Sequence, residues 1–294
     1  MISNNNGTTP TQPITIGRVA PDFTALTTQG PITLSQFRGK WVLLFSHPGD
    51  FTPVCTSEFI AFSQLYDEFI NRNVQLIGIS IDSNPAHLGW FVSILENSGI
   101  TIPFPLIADR NAEVSTLYGM VNPDRIYETS VRDVFIIDPV QRIRSILAYP
   151  ATNGRNMYEL LRLIDALQVS TEYRVSTPAN WMPGDPLIIP VPTTYDEVLK
   201  RINDPESLGL QCKDWYYCYK NYDDVVNQNN IPAQAPAPTP TQTPAPTTTP
   251  TTNSSSFTNI ISATNTNTNT TTYSNKINNT SSVSSVKKTE FKKG

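Results

Sequence analysis

The stretch that determines the fold is WVLLFSHPGDFTPVCTSE, residues 41–58. Its first seven residues form a short apolar run, which is typical of a buried β-strand. The polar segment that follows leads to Thr52 and Pro53, residue types that favour the N-cap and the first position of a helix. We therefore expect a strand over residues 41–47, a loop, and a helix that starts near Pro53. Apolar residues recur at helical spacing up to residue 71, where the predicted helix ends.

The pattern of strand followed by helix recurs along the chain. Apolar runs predict two further buried strands, and a helical pattern follows each of them. Alternation of this kind predicts an α/β fold, with helices on both faces of a mixed, largely parallel central sheet. The remaining predicted elements are strands at 74–81, 105–109, 133–138 and 143–150, two short strands within 23–34 about a Gly30-Pro31 turn, and helices at 85–97, 113–118, 156–169 and 196–202.

The composition divides the chain into four parts. We expect a flexible leader over residues 1–14, an α/β domain over 15–169, a C-terminal arm over 170–232 and a disordered tail over 233–294. The tail consists mainly of Thr, Asn, Ser and Pro, and such a segment buries too little apolar surface to offset the entropy of ordering. The arm is rich in proline and has one clear helical pattern. We expect it to pack on its own domain or on a partner subunit, without a core of its own.

Charge and cysteine content exclude several classes of protein. The first 232 residues carry 16 basic and 24 acidic side chains, a net charge of −8, which argues against nucleic-acid binding. No apolar run approaches the length of a membrane span, and the N-terminus lacks the hydrophobic core of a signal peptide. Three cysteines do not make a disulfide scaffold. We therefore predict a cytoplasmic protein.

Cys55 falls at the third position of the predicted helix, inside its first turn. Free backbone N–H groups and the positive end of the helix dipole favour a thiolate there. The alternative is a small buried side chain, the commonest fate of a free cysteine. The motif Cys-x-x-Cys is absent, and the chain has only two histidines, His47 and His87. A dithiol oxidoreductase and a cysteine protease are therefore disfavoured, and His47 is equally suited to bonding the backbone. Attack on a peroxide is the main remaining reaction of such a thiolate.

The same residues carry a family resemblance. PGDFTPVCTSE places Pro48, Thr52 and Cys55 in the spacing Pro-x-x-x-Thr-x-x-Cys, which resembles the signature of peroxiredoxins. SHPGDFTPVCTSE is similar to the one-cysteine branch, which has a long C-terminal extension. The likeness continues through RDVFIIDP at 132–139 and TNGRNMYELLR at 152–162, and it spans about residues 17–225. It implies a thioredoxin-like fold with a dimerisation arm. It also implies a thiol-dependent peroxidase for hydrogen peroxide or organic hydroperoxides that needs no metal, flavin or other cofactor.

The resemblance implies a catalytic role for each matching residue. Cys55 would be the peroxidatic thiolate, which attacks a peroxide oxygen and becomes a sulfenic acid. Thr52 would hold the peroxide, and Pro48 would shield the thiolate. Arg132 would stabilise the thiolate and polarise the oxygen–oxygen bond, a task suited to the fixed donors and permanent charge of a guanidinium.

Three further residues match supporting positions of the family. Glu58 would orient Arg132, Arg155 would support the pocket as a second arginine, and His47 would line it. Taken alone, the two arginines would be interpreted as surface salt-bridge residues.

A second cysteine motif, CKDWYYC at 212–218, lies in the arm. It resembles the Cys-x-Asp-Trp-x-x-Cys element of a subset of the one-cysteine branch, in which an arm cysteine resolves the sulfenic acid of the neighbouring subunit. This likeness implies Cys218 as the first candidate for a resolving thiol and Cys212 as the second. The alternatives are two arm thiols without function and, less favoured because of its spacing, a zinc site. The implied partners are a thioredoxin-like protein or glutathione as reductant, and a second subunit in a homodimer or a ring of dimers.

Two other functions compete with turnover of peroxide. Cys55 could serve a peroxide-sensing redox relay or a chaperone-like scaffold. Some animal members of the branch hydrolyse phospholipids with a serine that precedes the strand before the peroxidatic loop. Here that place reads FRGKWVLLF and contains no serine, so acyl hydrolysis is not expected.

Overall fold

The apolar runs of the sequence lie side by side in one mixed sheet, in a computed structural model that describes residues 14–121 and 131–229. Within these residues the sheet has seven strands in the order β2-β1-β5-β4-β3-β6-β7. Strands β3, β4 and β5 are parallel, and the other pairs are antiparallel. The strands are β1 (Thr24–Thr27), β2 (Gly30–Thr33), β3 (Trp41–Ser46), β4 (Val74–Ser80), β5 (Leu106–Ala108), β6 (Arg132–Ile137) and β7 (Ile143–Tyr149).

Helices cover both faces of this sheet, and two apolar cores result. Side chains alternate along a strand, so Leu43 and Phe45 of β3 enter one core, while Val42 and Leu44 enter the other. The first core lies under α1 (Pro53–Gln64), α2 (Tyr66–Asn71), α3 (Asn84–Ser98) and α5 (Met157–Tyr173), and the second includes residues of α4 (Glu113–Leu117). The architecture confirms the predicted α/β fold with a mixed sheet. The expectation that this sheet is largely parallel was wrong, because only two of its six strand pairs in the described residues are parallel.

Two local predictions were wrong. The helical pattern up to residue 71 is not one helix, because the helix is interrupted at Leu65, between α1 and α2. The first hairpin turns at residues 28–29 and not at Gly30-Pro31, since Thr27 pairs with Gly30. The Thr27 hydroxyl donates to the Gly30 carbonyl at 2.6 Å. This hydrogen bond closes the turn before Gly30, whereas the sequence predicted the turn at Gly30-Pro31.

The arm contains more structure than its sequence indicates. The predicted helix is present as α6 (Tyr195–Asn203), but three short strands form a second sheet and another helix follows. A small apolar cluster joins arm residues to the end of α5, so the arm packs on its own domain and has no core separate from it. Strands of two to four residues carry too little periodicity to be recognised. The additional elements are β8 (Leu187–Ile188), β9 (Gln211–Asp214), β10 (Tyr217–Lys220) and α7 (Tyr222–Asn229), and the cluster consists of Ala166, Val169, Val175, Trp181, Leu187 and Val225.

Some predictions fall where the structure gives no description. Residues 1–13 of the predicted leader and the predicted tail at 233–294 lie outside the described residues. Among the helices in the described ranges, none has the length and apolar character needed to cross a bilayer.

Candidate active site

Cys55 lies where β3 passes into α1. Thr52 is the N-cap residue, Pro53 is the first helical residue, and Cys55 therefore occupies the third position, as predicted. The Thr52 hydroxyl does not cap the helix, because it donates to the Gly49 carbonyl at 2.9 Å. Cys55 is a free cysteine and its side chain is fully buried. The position combines a helix N-terminus with burial, and the neighbouring residues decide whether the sulfur can be reactive.

Arg132 connects Cys55 to the rest of the pocket. It is the first residue of β6 and is 2% exposed. Its Nη1 atom lies 3.3 Å from Cys55 Sγ and 2.6 Å from Glu58 Oε2. Its Nε and Nη2 donate to the Ala151 carbonyl at 3.1 and 2.7 Å. A guanidinium held in this way stabilises negative charge on the sulfur and can donate to a second acceptor beside it.

Arg155 lies on the other side of Glu58. Its backbone N–H and Nε donate to Glu58 Oε1, and its Nη2 donates to Glu58 Oε2, all within 2.8 Å. Its Nη1 donates to the backbone carbonyls of Ser46 and Asp133. Arg132 and Arg155 thus share one carboxylate, and neither is the surface ion pair that its sequence context alone would suggest.

Glu58 is ionised in this arrangement. Burial raises the pKa of its carboxyl, but hydrogen bonds and charge from Arg155, with the charge of Arg132, lower the pKa overall. The carboxylate is therefore a fixed acceptor that holds both guanidinium groups in place.

His47 and Pro48, the two residues between β3 and the loop, are both buried. His47 Nε2 lies 3.0 Å from Asp50 Oδ1, and its ring stacks on Trp90 with centroids 5.2 Å apart. Burial lowers the pKa of His47 despite the opposing effect of Asp50, so the imidazole is neutral near pH 7.

Asp50 and His87 are two polar residues of this region that the signature Pro-x-x-x-Thr-x-x-Cys does not specify, and the side chain of each is buried. His87 Nδ1 lies 2.7 Å from Asp50 Oδ2, so one carboxylate contacts both histidines of the chain. The low histidine content is the signal that could have drawn attention to His87. Its place in an apolar helical pattern concealed it.

One group of side chains has the spacing of a cation site within the described residues. Donor atoms of His47, Asp50 and Asp82 lie within 4.8 Å of one another. The Asp50 carboxylate is bonded to two imidazoles, and Asp82 Oδ2 accepts from the Asp50 N–H and the Ser80 hydroxyl at 3.0 and 2.9 Å. Hydrogen bonds therefore account for the grouping, and we assign no metal to it.

The two arm cysteines are bonded to each other. Cys212 and Cys218 face one another across β9 and β10 and form a disulfide. Cys218 is fully buried, whereas Cys212 is partly exposed. Neither is a free thiol in this structure, and their assignment as resolving residues stays a prediction.

Comparisons with known proteins agree with this geometry. Residues 16–146 match the AhpC/TSA family, and residues 166–204 match the C-terminal domain of 1-Cys peroxiredoxin. The chain is 56% identical over 205 residues to peroxiredoxin 2 of Caldanaerobacter subterraneus subsp. tengcongensis, covering 70% of this chain and 92% of that protein. It is 48% identical over 216 residues to a peroxiredoxin of Aquifex aeolicus, with coverage of 70% and 96%.

Solved structures give the same result. A yeast mitochondrial 1-Cys peroxiredoxin matches with a TM-score of 0.63 and 40% identity, over 71% of this chain and 99% of that one. A cysteine-to-serine mutant of peroxiredoxin 6 of Arenicola marina matches with a TM-score of 0.63 and 36% identity, over 71% and 98%. The fold is therefore thioredoxin-like, and the chain belongs to the peroxiredoxin family of thiol-dependent peroxidases.

Proposed function

We propose that Cys55 is the peroxidatic thiol and that the chain reduces hydrogen peroxide and organic hydroperoxides as an antioxidant enzyme. The observation that carries this proposal is the 3.3 Å contact between Arg132 Nη1 and Cys55 Sγ in the first turn of α1. Both the guanidinium and the helix N-terminus favour a thiolate at that position.

The first half of the proposed reaction is the oxidation of Cys55 by the peroxide. The Cys55 thiolate attacks one peroxide oxygen, a sulfur–oxygen bond forms, and the oxygen–oxygen bond breaks. The departing alkoxide or hydroxide takes up a proton, and Cys55 is left as a sulfenic acid. Arg132 stabilises the charge that develops on the departing oxygen. Because the Thr52 hydroxyl donates its proton to Gly49, its oxygen is available to accept a hydrogen bond from the peroxide. Pro48 shields the thiolate from water.

A thiol then returns Cys55 to its reduced state. The sulfenic acid condenses with a thiol to a disulfide and water, and a second thiol reduces that disulfide. The structure of the yeast relative concerns thiol resolution through glutathione and thioredoxin systems. We propose the same two classes of reductant here, a thioredoxin-like protein or glutathione.

The first experiment follows peroxide consumption with dithiothreitol as reductant. We expect Cys55→Ser to abolish turnover, while Cys212→Ser and Cys218→Ser retain it. Wild-type turnover no faster than that of a free thiol would instead favour the redox relay or chaperone-like scaffold.

The resolving thiol needs a separate test. The sequence ranks Cys218 before Cys212, but the greater exposure of Cys212 favours the reverse order. Fully reduced protein is treated with one equivalent of peroxide and run on a non-reducing gel. A disulfide-linked dimer that is lost in one of the two serine variants and kept in the other identifies the resolving residue. A dimer that persists when both cysteines are replaced by serine excludes both.

We propose a homodimer, with a ring of dimers as its higher form. An apolar stripe along α3 consists of Leu88, Val92 and Leu95. These three side chains and that of Phe51 are each between 45% and 61% exposed in the protomer. An exposed apolar face of this kind is typical of an interface. Val92→Glu should lower the mass measured by sedimentation, and Val140→Glu, at an isolated exposed valine, should not. An unchanged mass in Val92→Glu contradicts the use of this face.

The cytoplasmic location also remains a proposal, which is supported by prokaryotic relatives.

A further inference from the structure

The carboxylate of Asp50 contacts both histidines of the chain beneath the peroxidatic loop. Its Oδ1 lies 3.0 Å from His47 Nε2, and its Oδ2 lies 2.7 Å from His87 Nδ1. The Asp50 side chain is 3% exposed, and both imidazole side chains are fully buried. The three groups come from the end of β3, from the loop before α1 and from α3, so the contact joins elements that the sequence separates.

The hydrogen-bond partners of His87 fix the number of protons in this group. His87 Nε2 lies 3.2 Å from the Ile107 carbonyl oxygen, which can only accept, so Nε2 carries a proton. An ionised Asp50 can also only accept, so Nδ1 then carries a proton as well. His87 is thus an imidazolium beside a carboxylate. If the shared proton is placed on Asp50 instead, both groups are neutral, and the His87–Asp50 pair again has no net charge.

Hydrogen bonds from the two imidazoles favour the ionised form of Asp50. Burial raises the pKa of Asp50, but hydrogen bonds from His47 and His87 lower it overall. The titratable groups that act on His47 are Asp50, His87 and Asp82. Asp82 accepts a hydrogen bond from the Asp50 backbone N–H at 3.0 Å and lies beside the pair.

The neutrality of the His87–Asp50 pair affects the protonation of His47. Asp50 would draw a proton onto His47 if its charge were not balanced. We propose that His87 is a positioning residue for the peroxidatic pocket: it balances the charge of Asp50 and so, together with burial, keeps His47 a neutral imidazole whose Nε2–H points to Asp50. This inference rests on the proposed function, because it concerns the surroundings of Cys55. It also adds a residue, His87, that the signature motif does not contain.

The protonation states can be measured directly by nitrogen-15 NMR of histidine-labelled protein, which contains only two imidazoles. Between about pH 5 and about pH 8, where an ordinary histidine titrates, we expect both nitrogens of one ring to give a protonated signal or to share the Asp50 proton. The other ring should show one protonated nitrogen, Nε2, throughout. Two rings that titrate independently like free histidine would overturn the proposal. This measurement requires no enzymatic activity.

The second experiment uses His87→Gln, in which the remaining signal belongs to His47. Glutamine can donate to Asp50 but cannot carry its charge. We expect His47 to become protonated as the pH falls through the same range. The rate constant for oxidation of Cys55 by hydrogen peroxide, divided by that of wild type, should then vary with pH across the range in which His47 becomes protonated.

A control separates positioning from general loss of packing. Ile94→Ala removes a buried side chain from the same helix, α3. It should lower the unfolding midpoint and leave the rate ratio independent of pH. A pH-independent ratio in His87→Gln, with His47 still neutral, would contradict the proposal. Wild-type turnover of peroxide tests the proposed function separately, so the two failures can be distinguished.

Discussion

Glu58 shows how much of the site depends on single residues. Its two carboxylate oxygens accept hydrogen bonds from Arg132 and Arg155, and it is 2% exposed. If one partner of a buried ion pair is removed, the remaining charge is left without compensation, which costs about 3–5 kcal/mol. Here two guanidinium groups would face each other without the anion between them.

We expect Glu58→Gln to lower the free energy of unfolding by about 3 kcal/mol or more and to slow oxidation of Cys55, because Arg132 loses the acceptor that orients it. Urea unfolding and stopped-flow peroxide kinetics measure the two effects. Glu159→Gln is the control, since the pair of Glu159 and Arg162 is only partly buried, with side chains 40% and 24% exposed, and it should cost less than about 1 kcal/mol. Equal losses in the two variants would contradict this account of Glu58.

Asp133, the neighbour of Arg132 on β6, makes stability depend on pH. Burial raises its pKa to about 6, against the opposing charge of Arg155. The folded state therefore holds this proton more tightly than the unfolded state. The contribution of Asp133 to the free energy of unfolding is largest below the ordinary pKa of about 4. It decreases as the pH rises to about 6, and it does not change further at higher pH. In wild type, Asp133 should lower the free energy of unfolding by about 2–3 kcal/mol between about pH 4 and about pH 6. Asp133→Asn should abolish this decrease, and the difference between the unfolding free energies of the two proteins, measured against pH, tests it.

The sequence could predict those site residues that lie in one motif or match the family at a distance. Cys55 and Thr52 are three positions apart, and a strand followed by a helix cap places them correctly. The contact between Asp50 and His87 could not be predicted in this way, since the two are 37 residues apart. Their meeting depends on how α3 packs beside the loop, and a single sequence does not specify that packing.

At the scale of elements, long apolar strands were predicted well and weakly marked boundaries were not. The run at 41–47 became β3 (Trp41–Ser46), because a fully buried strand needs apolar residues at every position. The break at Leu65 has no glycine or proline to mark it. The two-residue strand β8 gains its stability from pairing with β10, a contact that its own sequence does not contain.

Gly78 lies on β4, where side chains of β3, β5 and α1 leave little room for a Cβ atom. A Cβ atom there would lie 2.9 Å from Leu106 Cδ1 and 3.3 Å from Phe45 Cζ, inside the main core. We expect Gly78→Ala to destabilise the protein by about 1–3 kcal/mol through overpacking, measured by urea unfolding. Gly89→Ala is the matched control. Its Cβ would meet only Phe51, at 3.8 Å, and alanine favours a helix by about 1 kcal/mol. A stable Gly78→Ala would show that the core yields more easily than these distances indicate.

At the scale of the whole molecule, the proposed site belongs to the α/β domain alone. Its residues lie between His47 and Arg155, at the end of β3, in the first turns of α1, at the start of β6 and before α5. The arm adds a small cluster against α5, to which α7 contributes Val225. The last described residue is 229, and the boundary near residue 233 stays a prediction from composition.

We therefore expect a chain that ends at residue 232 to keep the unfolding midpoint and the peroxidase rate of the full chain, because the Thr/Asn-rich tail buries little apolar surface. A chain that ends at residue 221 is the matched control. It lacks α7 and the buried Val225, and loss of a buried valine costs about 1.5 kcal/mol or more, so its midpoint should fall. Scanning calorimetry and peroxide turnover, measured on all three chains, compare these outcomes. A loss of rate or a lower midpoint in the chain that ends at residue 232 would show that the tail contributes to the folded enzyme, contrary to the organisation proposed from its composition.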